Sequence, residues 1–161
     1  MIARSAAQRR DLLTRSRRVA IVGASPNRLR PSYFVFRYLL THGFDVNPVN
    51  PAYTDIDAVR CYPSLHAYAQ ACGPPDIVDV FRNAAAAPEV AREAVAAGAK
   101  AIWFQYGVIS KEADAIADAA GLIVVSDRCM KVEHARFAGG LSVAGMNSGV
   151  ISAKRSAPRA R

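Results

Sequence analysis

The sequence predicts a single α/β domain built around a parallel sheet of five strands. Along the first 130 residues an apolar run repeatedly ends in a short polar turn, a helical segment follows, and a glycine often leads into the next run. Strands that alternate with helices predict a parallel sheet with right-handed crossovers. Ligands of such sheets bind beyond the carboxyl ends of the strands, so the polar turns are where function is expected. The predicted strands cover residues 19–22, 44–49, 77–81, 101–104 and 122–125.

The segments between these strands carry the signals of helix ends. Pro31 opens the helix after the first strand and Gly43 ends it, which is the usual placement of proline and glycine. Gly98 and Gly121 close later helices in the same way. The predicted helices cover residues 6–15, 31–42, 64–71, 88–97, 111–120 and 130–137, with a short edge strand or extended link over 59–62. We expect the five strands to lie in the order 3-2-1-4-5.

Length and composition fit one domain. The chain has 161 residues, of which 52% are hydrophobic, and this is enough for one core. No apolar run is long enough to span a bilayer. The three cysteines are scattered and form neither a disulfide framework nor a CxxC metal pair. We therefore expect a cytoplasmic protein with free thiols and no metal site.

The net charge of +8 comes from the two ends of the chain, because the part between them is about neutral. Residues 1–18 are expected to form a basic helix or arm, 19–138 the folded domain, and 139–161 an extension with a basic, disordered tail. Basic arms can bind nucleic acid or an anionic surface. No base-stacking motif or DNA-reading helix accompanies them, so solvated tails are favoured. A mitochondrial presequence has a composition similar to residues 1–18 and stays as a minor alternative.

The turn after the first strand has the chemistry of an anion site. Gly23 allows a tight turn and close approach to a phosphate. The following helix directs its free N–H groups and the positive end of its dipole at this turn. Ser25 and Ser32 add hydroxyl donors, and Arg28 and Arg30 add cations. The cluster suits a ligand such as a pyrophosphate, although a glycine turn also occurs for chain reversal alone.

Two features disfavour a nicotinamide dinucleotide. The turn is not GxGxxG, because Ser25 and Arg28 stand where that fingerprint has glycine. The second strand ends in Pro48-Val-Asn-Pro51, whereas NAD sites hold the ribose 2′-hydroxyl with an acid at this point. NADP would require a basic residue near Asn50, and none stands beside it.

Six groups of residues, in order along the chain, carry a family resemblance. They are Ala20-Ile-Val-Gly-Ala-Ser-Pro26 with Arg30-Pro-Ser-Tyr33, Val46-Asn-Pro-Val-Asn-Pro51, Tyr62-Pro-Ser-Leu65, Asp76-Ile-Val-Asp-Val-Phe-Arg82, Ala99-Lys-Ala-Ile-Trp-Phe-Gln-Tyr-Gly-Val108 and Ala120-Gly-Leu-Ile-Val-Val-Ser-Asp-Arg-Cys129. With these motifs, residues 17–134 resemble the bacterial single-domain CoA-binding proteins. That family is similar to the nucleotide-binding domain of the succinyl-CoA synthetase α subunit.

The resemblance implies a Rossmann-like, doubly wound parallel five-stranded sheet in a single domain that binds coenzyme A. The loop after the first strand should meet the CoA phosphates, the end of the second strand should line the adenosine side, and the end of the third should border the nucleotide or pantetheine. These three groups are, respectively, Gly23, Ala24 and Ser25; Pro48, Val49, Asn50 and Pro51; and Phe81 and Arg82. For Phe81, packing in the core is an equally good interpretation.

Two further residues are candidates at the later strand ends. Gln105 follows the fourth strand and is expected to face the ligand. Cys129 follows Arg128 near the start of a helix, and both neighbours favour a thiolate, so we expect it to be the most reactive cysteine and to lie near the CoA sulfhydryl. A buried, inert Cys129 is the competing interpretation.

The sequence therefore predicts a protein that binds CoA or an acyl-CoA without catalysis of its own. A complete acyl-CoA ligase also needs a second domain with a phosphorylated histidine, and that domain is not expected here. The three histidines, His42, His66 and His134, each fall on a predicted helix as surface or helix-end residues and are expected to take no part in binding. The alternatives are an NAD(P)-binding oxidoreductase and a regulatory module whose basic tails contact nucleic acid. No membrane partner is expected.

Overall fold

The computed structural model describes residues 1–138, and the predicted basic tail lies outside this part of the chain. A five-stranded parallel sheet forms its centre, as the alternation of apolar runs and helices predicts. In chain order the elements are α1 (Ala6–Arg15), β1 (Arg18–Val22), α2 (Pro31–Thr41), β2 (Asp45–Val49), β3 (Asp55–Ile56), β4 (Val59–Arg60), α3 (Leu65–Cys72), β5 (Ile77–Val80), α4 (Ala87–Ala96), β6 (Ala101–Phe104), α5 (Lys111–Ala119), β7 (Ile123–Val125) and α6 (Met130–Ala138).

The sheet order is β2-β1-β5-β6-β7, so the expected order 3-2-1-4-5 is wrong and the five strands run 2-1-3-4-5. β1 pairs with β2 on one side and with β5 on the other, where Val19 lies opposite Ile77. Burial explains this arrangement, because β5 is buried at every position while β2 begins with the exposed Asp45. Pro48 also suits an edge strand, since proline cannot donate to a hydrogen-bond ladder. The direction of winding therefore changes between β1 and β5.

Alternating side chains of the strands supply two apolar layers, one on each face of the sheet. Helices α3, α4 and α5 pack on the first face, where Tyr68 and Ala91 meet Val78 and Phe104. Helices α1, α2 and α6 pack on the second, where Phe36 and Met130 belong to the same core as Ile21 and Trp103. Both faces are covered, which is why the strands are continuous apolar runs.

The N-terminal helix forms as predicted. Ser5 caps α1 by accepting a hydrogen bond from the backbone N–H of Gln8, whose side chain returns to Ser5. Leu12 and Leu13 are buried. Arg9 Nε lies 2.7 Å from Glu133 Oε2 in a buried ion pair that connects α1 to α6.

The segment predicted as an edge strand or link is one arm of a small antiparallel hairpin. Asp55 pairs with Arg60, and Ile56 pairs with Val59. The two turn residues between them have φ of 50° and 63°, and such left-handed pairs match the twist of two-residue hairpins. Within residues 1–138, no helix combines the length and the apolar character that crossing a bilayer requires.

Asp76 joins the amino ends of β1 and β5. Its Oδ2 accepts hydrogen bonds from the backbone N–H groups of Arg17 and Arg18, each at 2.9 Å, and its Oδ1 lies 2.7 Å from Lys100 Nζ. Burial alone would raise the pKa of Asp76, but Lys100 and the two N–H groups outweigh burial and hold the pKa at about 2. The charged carboxylate is therefore the form that the fold stabilises.

Replacing Asp76 by asparagine should lower the free energy of unfolding at pH 7 by about 1–2 kcal/mol, measured by urea denaturation. The folded pKa lies below the usual value of 3.8, so this stabilisation is complete above about pH 4 and is lost as the pH falls toward about 2. The difference in free energy of unfolding between wild type and Asp76→Asn should therefore decrease as the pH is lowered from about 4 to about 2. Asp11→Asn, which removes an exposed ion pair with Arg15, is the control and should cost under about 0.5 kcal/mol. Equal losses of stability in Asp76→Asn and Asp11→Asn would contradict the stabilising role of the Asp76 carboxylate.

Candidate functional site

Two neighbouring cavities open at the carboxyl ends of the strands. The larger cavity has a volume of about 500 Å³ and the smaller about 240 Å³. Gly23, Asn50 and Arg82 line both, so the cavities meet at the turn after β1. Further residues of the predicted site line one cavity each. The larger cavity is lined by Ser25, Arg30, Ser32, Phe81, Gln105 and Cys129, and the smaller by Val49 and Pro51.

Three predicted residues line neither of these two cavities. Ala24 is buried within the turn after β1, and Pro48 is buried within β2. Arg28 is exposed on the loop before α2. Their assignment to a ligand site stays a prediction.

Gly23 brings the turn after β1 against the end of β5. Its φ is +81°, in the left-handed region, and its N–H donates to the Val49 carbonyl at 3.1 Å. A Cβ at this position would lie 2.7 Å from the Phe81 backbone oxygen and 3.1 Å from Arg82 Cδ. Only glycine can lie this close to the Phe81 backbone, and without a side chain its own backbone is accessible from both cavities.

Asn50 stands where a dinucleotide site would have an acid, and the protein itself uses both ends of its amide. Nδ2 donates to the Ala24 carbonyl at 2.8 Å, and Oδ1 accepts from the Ala52 N–H at 2.9 Å. The side chain therefore ties the loop after β2 to the loop after β1. This role depends on long-range packing that sequence patterns do not show.

The amino end of α2 contributes positive potential to the larger cavity. Its N-cap, Arg30, makes no capping hydrogen bond through its side chain, and Pro31 occupies the first turn. Arg30, Pro31 and Ser32 all line the cavity. Ser25 Oγ accepts from the Asn27 N–H at 3.1 Å, which leaves its own O–H free to donate. An uncapped helix terminus beside arginines is a suitable place for an anion.

Sequence patterns did not single out Asp79, whose carboxyl group is hydrogen-bonded to Gln105 of the larger cavity. Asp79 is fully buried in β5, and its Oδ1 accepts a hydrogen bond from Gln105 Nε2 at 2.6 Å. Burial raises the pKa of Asp79 to about 7, although the hydrogen bonds from Gln105 and the Val80 N–H oppose the shift. The sequence signal was a single acid within the apolar run 77–81, and that signal does not reveal its partner.

Cys129 lines the larger cavity, but the expected thiolate is not favoured. Burial raises the pKa of its thiol, and the charge of Asp79 adds to the increase. The backbone N–H groups of Val132 and Lys131, at the start of α6, act in the opposite direction and are outweighed. The prediction that its surroundings lower the thiol pKa is therefore wrong, because the sequence did not show how deeply Cys129 is covered.

The histidines lie away from both cavities, as far as residues 1–138 are concerned. His42 stacks on Tyr38 with ring centroids 3.9 Å apart, and His134 Nδ1 lies 3.0 Å from the Tyr38 hydroxyl. His134 is half-buried rather than a surface residue, and burial together with His42 lowers its pKa. His66 is exposed on α3. Within the described residues no group of acids, histidines and cysteines could hold a metal ion.

Comparison with known proteins identifies relatives across this domain. The model of the CoA binding domain family matches residues 17–135. The uncharacterised protein YneT of Bacillus subtilis is 36% identical over 131 residues, which covers 81% of this chain and 95% of YneT.

Solved structures have the same fold. A hypothetical protein from Pyrococcus horikoshii is 41% identical with a TM-score of 0.79, and the match covers 84% of this chain and 93% of that one. A Thermus thermophilus protein is 33% identical with a TM-score of 0.76, covering 82% and 98% of the two chains. An acetyl-coenzyme A synthetase from Ca. Korarchaeum cryptofilum is 22% identical with a TM-score of 0.55, covering 66% of this chain and 25% of its own, and at that distance it indicates the fold alone.

Proposed function

This chain belongs to the CoA-binding domain family, and from that premise we propose that it binds coenzyme A, free or acylated, at the carboxyl ends of its parallel strands. We propose further that it acts as a binding protein without catalysis of its own. The observation that carries the proposal is the pair of cavities that meet at Gly23, Asn50 and Arg82.

The shape of the site fits the parts of CoA. This ligand has an adenosine end and a long pantetheine arm, joined by a pyrophosphate. In our proposal the pyrophosphate crosses the junction at Gly23, where glycine lets the backbone come close. The adenosine end occupies the smaller cavity and the pantetheine arm the larger, which has apolar walls from Val35, Phe81 and Val108.

Charge supports this orientation. Glu89 and Glu93 line the smaller cavity, where their carboxylates can accept hydrogen bonds from the amino group of the adenine base. In our proposal the 3′-phosphate of CoA is directed away from these carboxylates and toward Arg82. Arg82 stands at the junction and Arg30 lines the larger cavity beside the amino end of α2. In our proposal the phosphates therefore meet Arg82 at the junction, and Arg30 with the amino end of α2 on the side of the larger cavity.

The same geometry disfavours a nicotinamide dinucleotide. Both ends of the Asn50 amide already hold backbone groups, so the side chain is not positioned to replace a ribose-binding carboxylate. CoA needs donors and cations for its phosphates rather than such a carboxylate. The site thus offers hydrogen-bond donors and cations to the phosphates of CoA, and it has Asn50 where an NAD site has a ribose-binding carboxylate.

Titration calorimetry with CoA, NAD and NADP should give the lowest Kd for CoA, by about tenfold or more. The three ligands share an adenosine and a pyrophosphate, so the comparison isolates the pantetheine arm and the ribose contacts. Dephospho-CoA serves as a further control for the 3′-phosphate. Binding of NAD or NADP as tight as that of CoA would overturn the proposed function.

A further inference from the structure

Asp79 is a buried carboxyl group that the proposed function does not yet use. It is 0% exposed, and within residues 1–138 its Oδ2 has no hydrogen-bond partner. Its neighbours in register are Ile21 on β1 and Trp103 on β6. A buried charge with one side-chain hydrogen bond destabilises a fold, and apolar neighbours do not explain its presence.

The ionisation state of Asp79 determines which atom of the Gln105 amide can bind it. An ionised carboxylate only accepts, so the amide Nε2 of Gln105 must point at Asp79. The carbonyl Oε1 is then the end of the amide that does not bind Asp79. Gln105 lines the larger cavity, so this arrangement presents a hydrogen-bond acceptor to the cavity.

We propose that Asp79 is a positioning residue that holds the Gln105 carbonyl toward the larger cavity, and that the pair makes the site select free CoA over an acyl-CoA. This inference rests on the proposed function. The unacylated end of CoA carries a thiol S–H, which can donate to an acceptor. In an acyl thioester an acyl group replaces the thiol hydrogen, so the acyl carbonyl, an acceptor, meets the acceptor of Gln105. An unsatisfied or opposed hydrogen bond reduces affinity by up to about tenfold.

Protonation of Asp79 removes the constraint on Gln105. A protonated carboxyl can donate to Oε1, so the amide can turn and present its NH₂ group to the cavity. The titratable group that interacts with Asp79 is the Cys129 thiol, before α6. The other elements on this face contribute apolar residues such as Val35, and the buried Arg9 of α1 is paired with Glu133 of α6. Since the pKa of Asp79 is about 7, the acceptor is enforced above neutral pH and released below it.

The test compares CoA with acetyl-CoA by calorimetry between about pH 6 and pH 8.5. In the wild type, the Kd of acetyl-CoA should be about tenfold higher than the Kd of CoA near pH 8.5. Near pH 6 the ratio of these two Kd values should approach one. The ratio cancels the titration of the phosphates, which both ligands carry. Asp79→Asn mimics the protonated carboxyl, so its ratio should stay near one at every pH.

Two controls and one further variant separate positioning of Gln105 from a general structural role of Asp79. Adenosine 3′,5′-bisphosphate lacks the pantetheine arm, so Asp79→Asn should leave its Kd unchanged, whereas a damaged fold would weaken it. Asp11→Asn removes an exposed carboxylate on α1 and should keep the wild-type ratio and its pH dependence. Gln105→Leu removes the acceptor and should also bring the ratio near one.

A wild-type ratio that does not change with pH, or one that Asp79→Asn leaves intact, would overturn the inference while CoA binding itself stands. If neither CoA nor acetyl-CoA binds, the proposed function falls and this inference falls with it. The wild-type profile requires no variant, so poor folding of Asp79→Asn would not remove the test.

Discussion

Gly23→Ala is expected to reduce the free energy of unfolding by about 2–4 kcal/mol and to weaken CoA binding strongly. Two effects combine at this position. The φ of +81° is unfavourable for any residue with a Cβ, and the new methyl group would lie 2.7 Å from the Phe81 backbone oxygen. Phe81 directly follows the central strand β5 and its N–H donates to the Val22 carbonyl of β1, so a shift of its backbone would disturb the sheet. Urea denaturation and calorimetry with CoA measure the two losses.

Gly107→Ala is the matched control for Gly23→Ala. Gly107 has nearly the same φ, +80°, but a Cβ built there meets nothing within 4 Å. Its cost should be about 1 kcal/mol, because only the backbone conformation opposes the change. The difference between the two variants measures the clash with Phe81. If both variants lose the same stability, the close approach of the turn to β5 is not what requires glycine.

Arg82→Ala should raise the Kd for CoA by about tenfold or more, because a charge-assisted bond to phosphate contributes roughly 1.5–3 kcal/mol. Arg82 lines both cavities, and within residues 1–138 it forms no ion pair or side-chain hydrogen bond. An uncommitted cation at the junction of the cavities is available to the pyrophosphate. Calorimetry at fixed salt concentration measures the change, since phosphate contacts weaken as salt increases.

Arg15→Ala is the control for Arg82→Ala. Arg15 carries the same charge on α1, where it pairs with Asp11, and it lines neither the larger nor the smaller cavity. Its removal should leave the Kd for CoA unchanged. If Arg82→Ala also leaves the Kd unchanged while circular dichroism reports an intact fold, Arg82 does not contact a phosphate. The Kd of Arg82→Lys for CoA should lie between those of the wild type and Arg82→Ala, because lysine keeps the charge but not the planar set of donors of arginine.

Local patterns were sufficient to predict most elements of this fold. The helix 6–15 has its boundaries where the structure has them, because a serine cap and two apolar residues on one face act over short distances. The strand 101–104 agrees as well, and Trp103 is buried with its indole N–H bonded to the Arg128 carbonyl, as a core tryptophan requires. Gly23 predicted a tight turn after β1, which the structure contains, and the cavities open at the predicted end of the sheet.

Strand order and the chemistry inside the larger cavity depended on contacts between residues far apart in the chain. A strand's own residues do not say which neighbour it pairs with, so β5 was expected beyond β2 rather than beside β1. Asp79 and Gln105 lie 26 positions apart, and only the pairing of β5 with β6 brings their side chains together. The pKa of Cys129 depended on how deeply the fold covers it. Secondary structure follows from short-range sterics and periodicity, whereas burial and pairing arise when distant segments exclude water from one another.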